Sequence, residues 1–139
     1  MGARRGLGGE VVVELNRGAV IVVDLDPTLG REQRGLRPCV VVSDPEVASD
    51  QRFPLVCVVP ITGTAGTGLL YPPLAPGPSG LAKQSFALID QLRSVDKRRV
   101  RRVFGTLARE EMACIDEGLA VFLGLGDRFQ GGSNASPVQ

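Results

Sequence analysis

Runs of β-branched and aliphatic residues, several bracketed by proline, mark out the first part of the chain. Asn16-Arg17-Gly18 leads into Ala19-Val20-Ile21-Val22-Val23, and Asp26-Pro27 ends that run. Arg37-Pro38 opens Cys39-Val40-Val41-Val42-Ser43, Asp44-Pro45 closes it, and Pro54 precedes the run from Leu55 to Ile61. Branched side chains pack well on a pleated surface, and a proline at the head of a strand can turn its missing donor outward. These three runs are predicted strands. The second and third are apolar without alternation, which places them in the middle of a sheet covered on both sides. A fourth run, Ser85 to Ile89, continues into Asp90-Gln91-Leu92-Arg93, and a shorter fifth strand is predicted over Val100–Thr106.

The period then changes. Met112, Ile115, Leu119 and Phe122 are spaced by three, four and three residues, which is one face of a helix. Glu110 and Glu111 fall in its first turn, where the helix dipole favours acids, and Gly124 or Gly126 supplies the stop. Several strands followed by one amphipathic helix predict a mainly β fold, a small, partly open β-barrel with a C-terminal α-helix packed against it. Residues 16–125 make up this body. Residues 1–15 read as a flexible N-terminal segment able to lend a few residues to the first strand, and residues 126–139 as a disordered C-terminal tail.

Composition narrows the chemistry. A chain of 139 residues is one domain by length, and aromatics at 4% with no Trp leave an aliphatic core rich in Val. The apolar runs are far too short to span a bilayer, and Glu10 and Glu14 interrupt any signal-peptide core, so a cytoplasmic protein without membrane contact is expected. The absence of His excludes His-based nucleophilic catalysis, His-ligated zinc and the two-histidine route to RNA cleavage. Cys39, Cys57 and Cys114 are odd in number and unevenly spaced in apolar runs; they read as reduced, buried thiols. No metal or other cofactor is expected.

A net charge of +1 excludes a whole-molecule attraction to nucleic acid. The charge is polarised, however. Residues 83–109 carry eight basic and two acidic side chains, whereas residues 110–139 carry five acidic and one basic. A basic strip suits a phosphate backbone, although a solvated strand-and-turn face has the same composition.

Two connections are long, residues 26–36 and 62–84, and loops of that length in a small domain are commonly functional or mobile. If the second and third strands are antiparallel neighbours, Arg37 at the start of one shares a rim with Thr62 at the end of the other. The loop carrying Glu32 and Gln33 feeds the same rim. The planar fork of an Arg matches a phosphate with two charged hydrogen bonds. An ordinary surface Arg and a turn Thr account for the same spacing. Gly63-Thr64-Ala65-Gly66-Thr67-Gly68 lacks the Gly-Lys-Ser/Thr end of a phosphate-binding loop and reads as a flexible connection.

At these residues the chain resembles a known family. Arg17-Gly18, Val23-Asp24-Leu25-Asp26-Pro27-Thr28, Gly30, Glu32-Gln33, Gly35 and Arg37-Pro38 look like the opening motif of the MazF/PemK/Kid toxins. Pro60-Ile61-Thr62 resembles the second motif, and Ser85 with Asp90-Gln91-Leu92-Arg93-Ser94-Val95-Asp96-Lys97 the third, followed by Gly105, Leu107 and the Glu110-Glu111-Met112 helix. The resemblance covers residues 17–125. It implies an SH3-like barrel of the CcdB/MazF/Kid toxin fold and the toxin component of a type II toxin–antitoxin system. It further implies a homodimeric, sequence-specific endoribonuclease. Such an enzyme cuts single-stranded RNA without a metal, leaving 2′,3′-cyclic phosphate and 5′-OH ends. A small antitoxin with an acidic, disordered C-terminal segment would block its groove.

The family's catalytic pair maps to Arg37 and Thr62, and Glu32 is the candidate base or the partner that holds Arg37. The resemblance implies substrate contacts at Gln33, Arg34, Ser85, Asp90, Gln91 and Arg93. The Kid branch uses an Asp in the third motif, matched by Asp90, but its neighbouring catalytic Arg falls on Leu88 and its His has no counterpart, so the Arg/Thr version is implied. Arg34 stands where a small residue is common, and Ala108 where a helix-capping Ser is expected. Two other classes fit less well. A CcdB-type topoisomerase poison carries a Trp-Gly-Ile C-terminus, whereas this chain ends Ser-Pro-Val-Gln. A non-catalytic SH3-like binding module has an aromatic-lined groove, which 4% aromatics does not supply.

Overall fold

The structure, a computed structural model, describes residues 15–125 in full and, before them, the backbone of two short strands. These are β1 (Ala3–Arg5) and β2 (Val11–Val13), which pair antiparallel with Ala3 opposite Val13. They pair with each other, so the expectation that this segment extends the first strand of the body is corrected. The body itself starts one residue early, at the fully buried Leu15. The remainder of residues 1–14 and the tail expected at 126–139 lie outside the described residues.

The body runs β3 (Ala19–Asp24), β4 (Leu36–Val41), α1 (Pro45–Ser49), β5 (Leu55–Thr62), β6 (Pro73–Leu74), β7 (Ser85–Ala87), β8 (Arg93–Asp96), β9 (Val100–Thr106) and α2 (Arg109–Phe122). The strands form a curled antiparallel half-barrel in the order β6-β7-β5-β4-β3-β9, with β8 also on β5, and α2 closes one side. This is the mainly β fold with a C-terminal helix that the sequence predicts. Two elements were not foreseen. Asp44-Pro45 ends the second strand but also starts a helix: the Asp44 carboxylate accepts the Glu46 N–H at 2.8 Å, and proline fits the first helical turn. The other is strand β6, which lies within the long connection of residues 62–84.

The expected fourth strand is interrupted. Both β7 and β8 pair with β5, at Ile61–Thr62 and Leu55–Val58 respectively. Between them β5 carries Pro60, which has no N–H to donate, so the ladder cannot close there. Leu88 N–H still reaches the Pro60 carbonyl at 2.8 Å. The chain then swings out as a 3-10 turn, Ile89–Gln91, before rejoining at Arg93.

β4 from Cys39 onward and β5 from Val58 to Ile61 are buried on both faces, as their uniform hydrophobicity predicts, while Leu36, Arg37 and Leu55 at the strand starts are exposed. Cys39, Val41, Val56 and Val58 join Leu15, Ile21 and Leu25 in one core layer; Val40, Val42, Val59 and Ile61 join Leu74, Ile89 and Ile115 in the other. Helix α2 contributes Ile115 to that second layer, flanked by the half-buried Met112 and Leu119. Phe122, expected on the same face, is instead 44% exposed, because it stands at the last residue of the helix, outside the buried cluster. Gly118 is buried in its place. A Cβ there would stand 2.8 Å from the Leu69 carbonyl and 3.1 Å from the Ile89 side chain, so glycine lets α2 lie directly against the 3-10 turn. Ala108 gives the helix no capping hydroxyl. The Glu111 carboxylate reaches back to accept the Ala108 N–H at 2.9 Å and takes the Ala75 N–H at 2.7 Å. No helix among the described residues is long and apolar enough to cross a membrane.

The expectation of three buried thiols holds only for Cys39; Cys57 is half-buried and Cys114 is exposed, one position before the inward-facing Ile115. Burial pushes the Cys39 thiol up to about 12, outweighing the opposite pull of the Arg93 charge. Since the thiolate is the reactive form, a maleimide at pH 7.5 is expected to label Cys114 in the native protein and Cys39 only after denaturation. Peptide mass spectrometry reads the order, and native labelling of Cys39 would contradict this packing.

Candidate active site

The β3–β4 loop, residues 26–36, is anchored at both ends. The Leu25 N–H donates to the Gly35 carbonyl at 2.9 Å, and the Gly35 N–H donates to the Asp26 carboxylate at 3.1 Å. Within the loop the Glu32 carboxylate accepts the Leu29 N–H at 2.6 Å. The decisive tether is longer in sequence: the Gln33 N–H donates to the Gln91 side-chain carbonyl at 2.8 Å, fastening the loop to the 3-10 turn. Arg93 adds a second tie by donating to the Leu25 carbonyl at 3.1 Å.

β4 and β5 are antiparallel neighbours whose ladder ends with Cys39 opposite Pro60; Arg37 and Thr62 each lie two residues beyond that pair, at the same end of the two strands. Arg37 is exposed, and its Nε donates to the Arg34 carbonyl at 3.0 Å. Glu32 therefore does not hold Arg37 in this structure; it caps its own loop. Thr62, half-buried at the end of β5, accepts the Thr64 N–H on its hydroxyl at 3.1 Å.

Two cavities flank the Gln33–Gln91 bond, and Thr62 lines the larger. The larger, of about 430 Å³, is lined by Gln33, Thr62, Thr64, Tyr71, Leu88 and Gln91 among others. The smaller, of about 120 Å³, is lined by Glu32, Gln33, Pro60, Asp90, Gln91 and Arg93 among others. Gln33 and Gln91 stand in both, so the hydrogen bond between them is the wall that separates the two spaces. Of the expected site residues, Thr62, Glu32, Gln33, Asp90, Gln91 and Arg93 are brought together here. Arg34, on the β3–β4 loop, and Arg37, at the start of β4, are exposed and line neither cavity. Ser85 is not brought to them at all: β7 turns it inward with Ala87, 5% exposed, and its hydroxyl donates to the Lys83 carbonyl at 3.0 Å.

Tyr71 is the residue that sequence reasoning missed. Its phenol donates to the Asp90 carboxylate at 2.6 Å, and that bond is the main reason its pKa is raised. The only signal in the sequence was a single aromatic inside a Gly-, Thr- and Pro-rich loop.

The basic strip is largely engaged by the protein itself. Lys97 donates to the carbonyls of Val47 and Asp50, at 2.7 and 2.9 Å, and Arg98 pairs with Asp96 at 2.9 Å. Arg99 donates to the carbonyls of Asp24 and Asp26, Arg101 lies 3.6 Å from the Asp24 carboxylate, and Arg102 stacks 4.8 Å over the Phe104 ring. Arg98 holds the Asp96 carboxyl at about 2, mainly through their hydrogen bond. The strip thus ties β8, β9 and the end of β3 together, with the exposed guanidiniums at its outer edge.

A crystal structure of MazF from Deinococcus radiodurans superposes with a TM-score of 0.70 at 24% identity, over 81% of this chain and 99% of that one. An endoribonuclease from a mycobacterial species, in complex with its cognate antitoxin, superposes with a TM-score of 0.65 at 24% identity, covering 79% of this chain and 95% of its own. The toxin MazF-mt6 of Mycobacterium tuberculosis gives 0.64 at 20% identity, over 77% and 97%. These likenesses establish the fold. A sequence profile of the PemK-like, MazF-like toxins of type II toxin–antitoxin systems matches residues 16–123, nearly the whole described body, and the chain belongs to that family.

Proposed function

We propose that the chain is a sequence-specific endoribonuclease that cuts single-stranded RNA without a metal, acting in the cytoplasm as the toxin of a toxin–antitoxin pair. The observation that carries this reading is that Arg37 and Thr62 lie at the same end of the β4–β5 pair, with Thr62 lining a cavity together with the hydrogen-bonded Gln33 and Gln91. The likeness in fold to a mycobacterial endoribonuclease supports it.

In the proposed reaction the ribose 2′-oxygen bonds to the adjacent phosphorus and the bond from phosphorus to the 5′-oxygen breaks. The products are a 2′,3′-cyclic phosphate and a 5′-hydroxyl. Charge builds on the non-bridging oxygens, where the permanently charged fork of Arg37 stabilises it. The Thr62 hydroxyl donates a hydrogen bond to the same phosphate. The 2′ proton passes to a carboxylate. Glu32 and Asp90 both line the smaller cavity and each already accepts one hydrogen bond, from the Leu29 N–H and the Tyr71 phenol; Glu32, on the loop that leads into Arg37, is assigned as base. Water or the base's proton completes the leaving 5′-oxygen. Gln33, Gln91 and Arg93 bind and orient the strand; Arg34, on the loop flank, meets its backbone.

The active form is proposed to be a homodimer, and the inhibitor a small antitoxin whose acidic segment orders as it covers this rim. Deinococcal MazE–MazF and mycobacterial toxin–antitoxin complexes of the same fold support that partner class. The purified chain is expected to cut single-stranded RNA in excess EDTA and to leave cyclic phosphate ends, read by end mapping. Activity lost on chelation and restored by Mg²⁺ or Mn²⁺ would overturn the reading.

A further inference from the structure

The larger cavity has a built character that cleavage of a phosphodiester does not itself require. Tyr71 is fixed at every level. Its N–H donates to the Gly68 carbonyl at 3.0 Å, and the carbonyls on either side, of Leu70 and Pro72, accept from Ile89 and Ala87, both at 3.0 Å. Its phenol is held by Asp90. Gly66 lies against the root of the side chain; a Cβ there would come within 3.0 Å of the Tyr71 Cβ and 3.4 Å of its Cγ. A held aromatic residue thus lines a cavity together with Leu88, three threonines, Gln33 and Gln91, and the small Ala65 and Gly66. The Gln91 carbonyl is engaged by Gln33, which leaves its NH₂ group as a donor.

We infer that this cavity receives one unstacked nucleobase next to the scissile phosphate, packed against Tyr71 and read along its edge by Gln91 and the threonines. Unpaired RNA is recognised in this way, by splayed bases stacked on aromatic rings and hydrogen-bonded at their edges. Thr62 stands in the wall of the same cavity, so a phosphate bound at Thr62 places its own base, or the next one, within reach. A volume of about 430 Å³ falls within the ordinary range of small-ligand pockets. Tyr71 is then a specificity residue for the reaction proposed above, and the inference rests on that reading.

The chain supplies its own probe, since Tyr71 is its single tyrosine and it has no Trp. End mapping of wild-type cleavage identifies a cut sequence. The same strand is then made with 2′-O-methyl riboses so that it is not cut, and remade with the bases flanking the cut removed one at a time. The intact strand is expected to change the Tyr71 emission, and one of the abasic strands to bind without doing so. Tyr71→Leu is expected to weaken binding of the intact strand about ten-fold, the scale of losing one base–aromatic stack, and Tyr71→Phe to recover most of the loss. Equal binding by intact and abasic strands with unchanged emission would overturn the base pocket while leaving the nuclease in place. An emission change with an acidic peptide and none with RNA would assign the cavity to a protein partner and overturn it too. If no RNA is cut, the nuclease reading fails first and the base pocket with it.

Discussion

Replacing Arg37 with Ala is expected to slow RNA cleavage by about 10²–10³, the usual cost of deleting one preorganised donor to a developing oxyanion. The fold is expected to survive, because Arg37 is exposed at the edge of β4 and its one hydrogen bond goes to the Arg34 carbonyl of its own loop. A single-turnover assay reads the rate, and an unchanged urea midpoint confirms the fold. Thr62→Val, of similar shape but without the hydroxyl, is the companion: it removes a donor to the same phosphate and leaves β5 paired with β7 through its backbone. Wild-type rates in both variants would place the chemistry elsewhere.

Ile115→Ala has its effect through packing. Ile115 is fully buried and is the residue by which α2 enters the second core layer. Removing a buried aliphatic side chain of this size costs about 2–5 kcal/mol, against a total stability of about 5–15 kcal/mol for a domain. A correspondingly lower urea midpoint with an unchanged slope is expected. A loss below about 1 kcal/mol would mean that the helix is not part of the cooperative unit. The site should feel the change as well, because Gly118 seats the same helix against the turn that carries Asp90 and Gln91.

What the sequence made legible were features governed by local pattern. β9 occupies the predicted Val100–Thr106, and the spacing of Met112, Ile115 and Leu119 correctly places one face of α2 against the sheet. The double burial of β4 and β5 follows from their unbroken hydrophobicity. The antiparallel pairing of β4 with β5, assumed in counting along the two strands, is present and leaves Arg37 and Thr62 at the same end. The departures arise where a residue answers to something distant. Pro60 breaks a ladder on its neighbour strand, and nothing in the run from Ser85 to Arg93 announces it. Phe122 keeps the helical period but stands at the end of α2, outside the buried cluster. The Gln33–Gln91 bond joins residues 58 apart, so the wall between the cavities exists only once the turn is formed. Tyr71 acquires its place from Asp90, Gly66 and the strand β7 beside it.

The double burial of β4 and β5 also governs how such a molecule can diverge. A polar or resized side chain at any central position of these strands is rejected at the level of folding, whichever face it occupies. The connections at 26–36 and 63–72, which wall the cavities, carry few core residues and answer mainly to what they touch. Inherited variation is therefore channelled into the segments that wall the cavities, on an unaltered frame. Lineages of such toxins can drift apart in these loops long before they drift apart in shape.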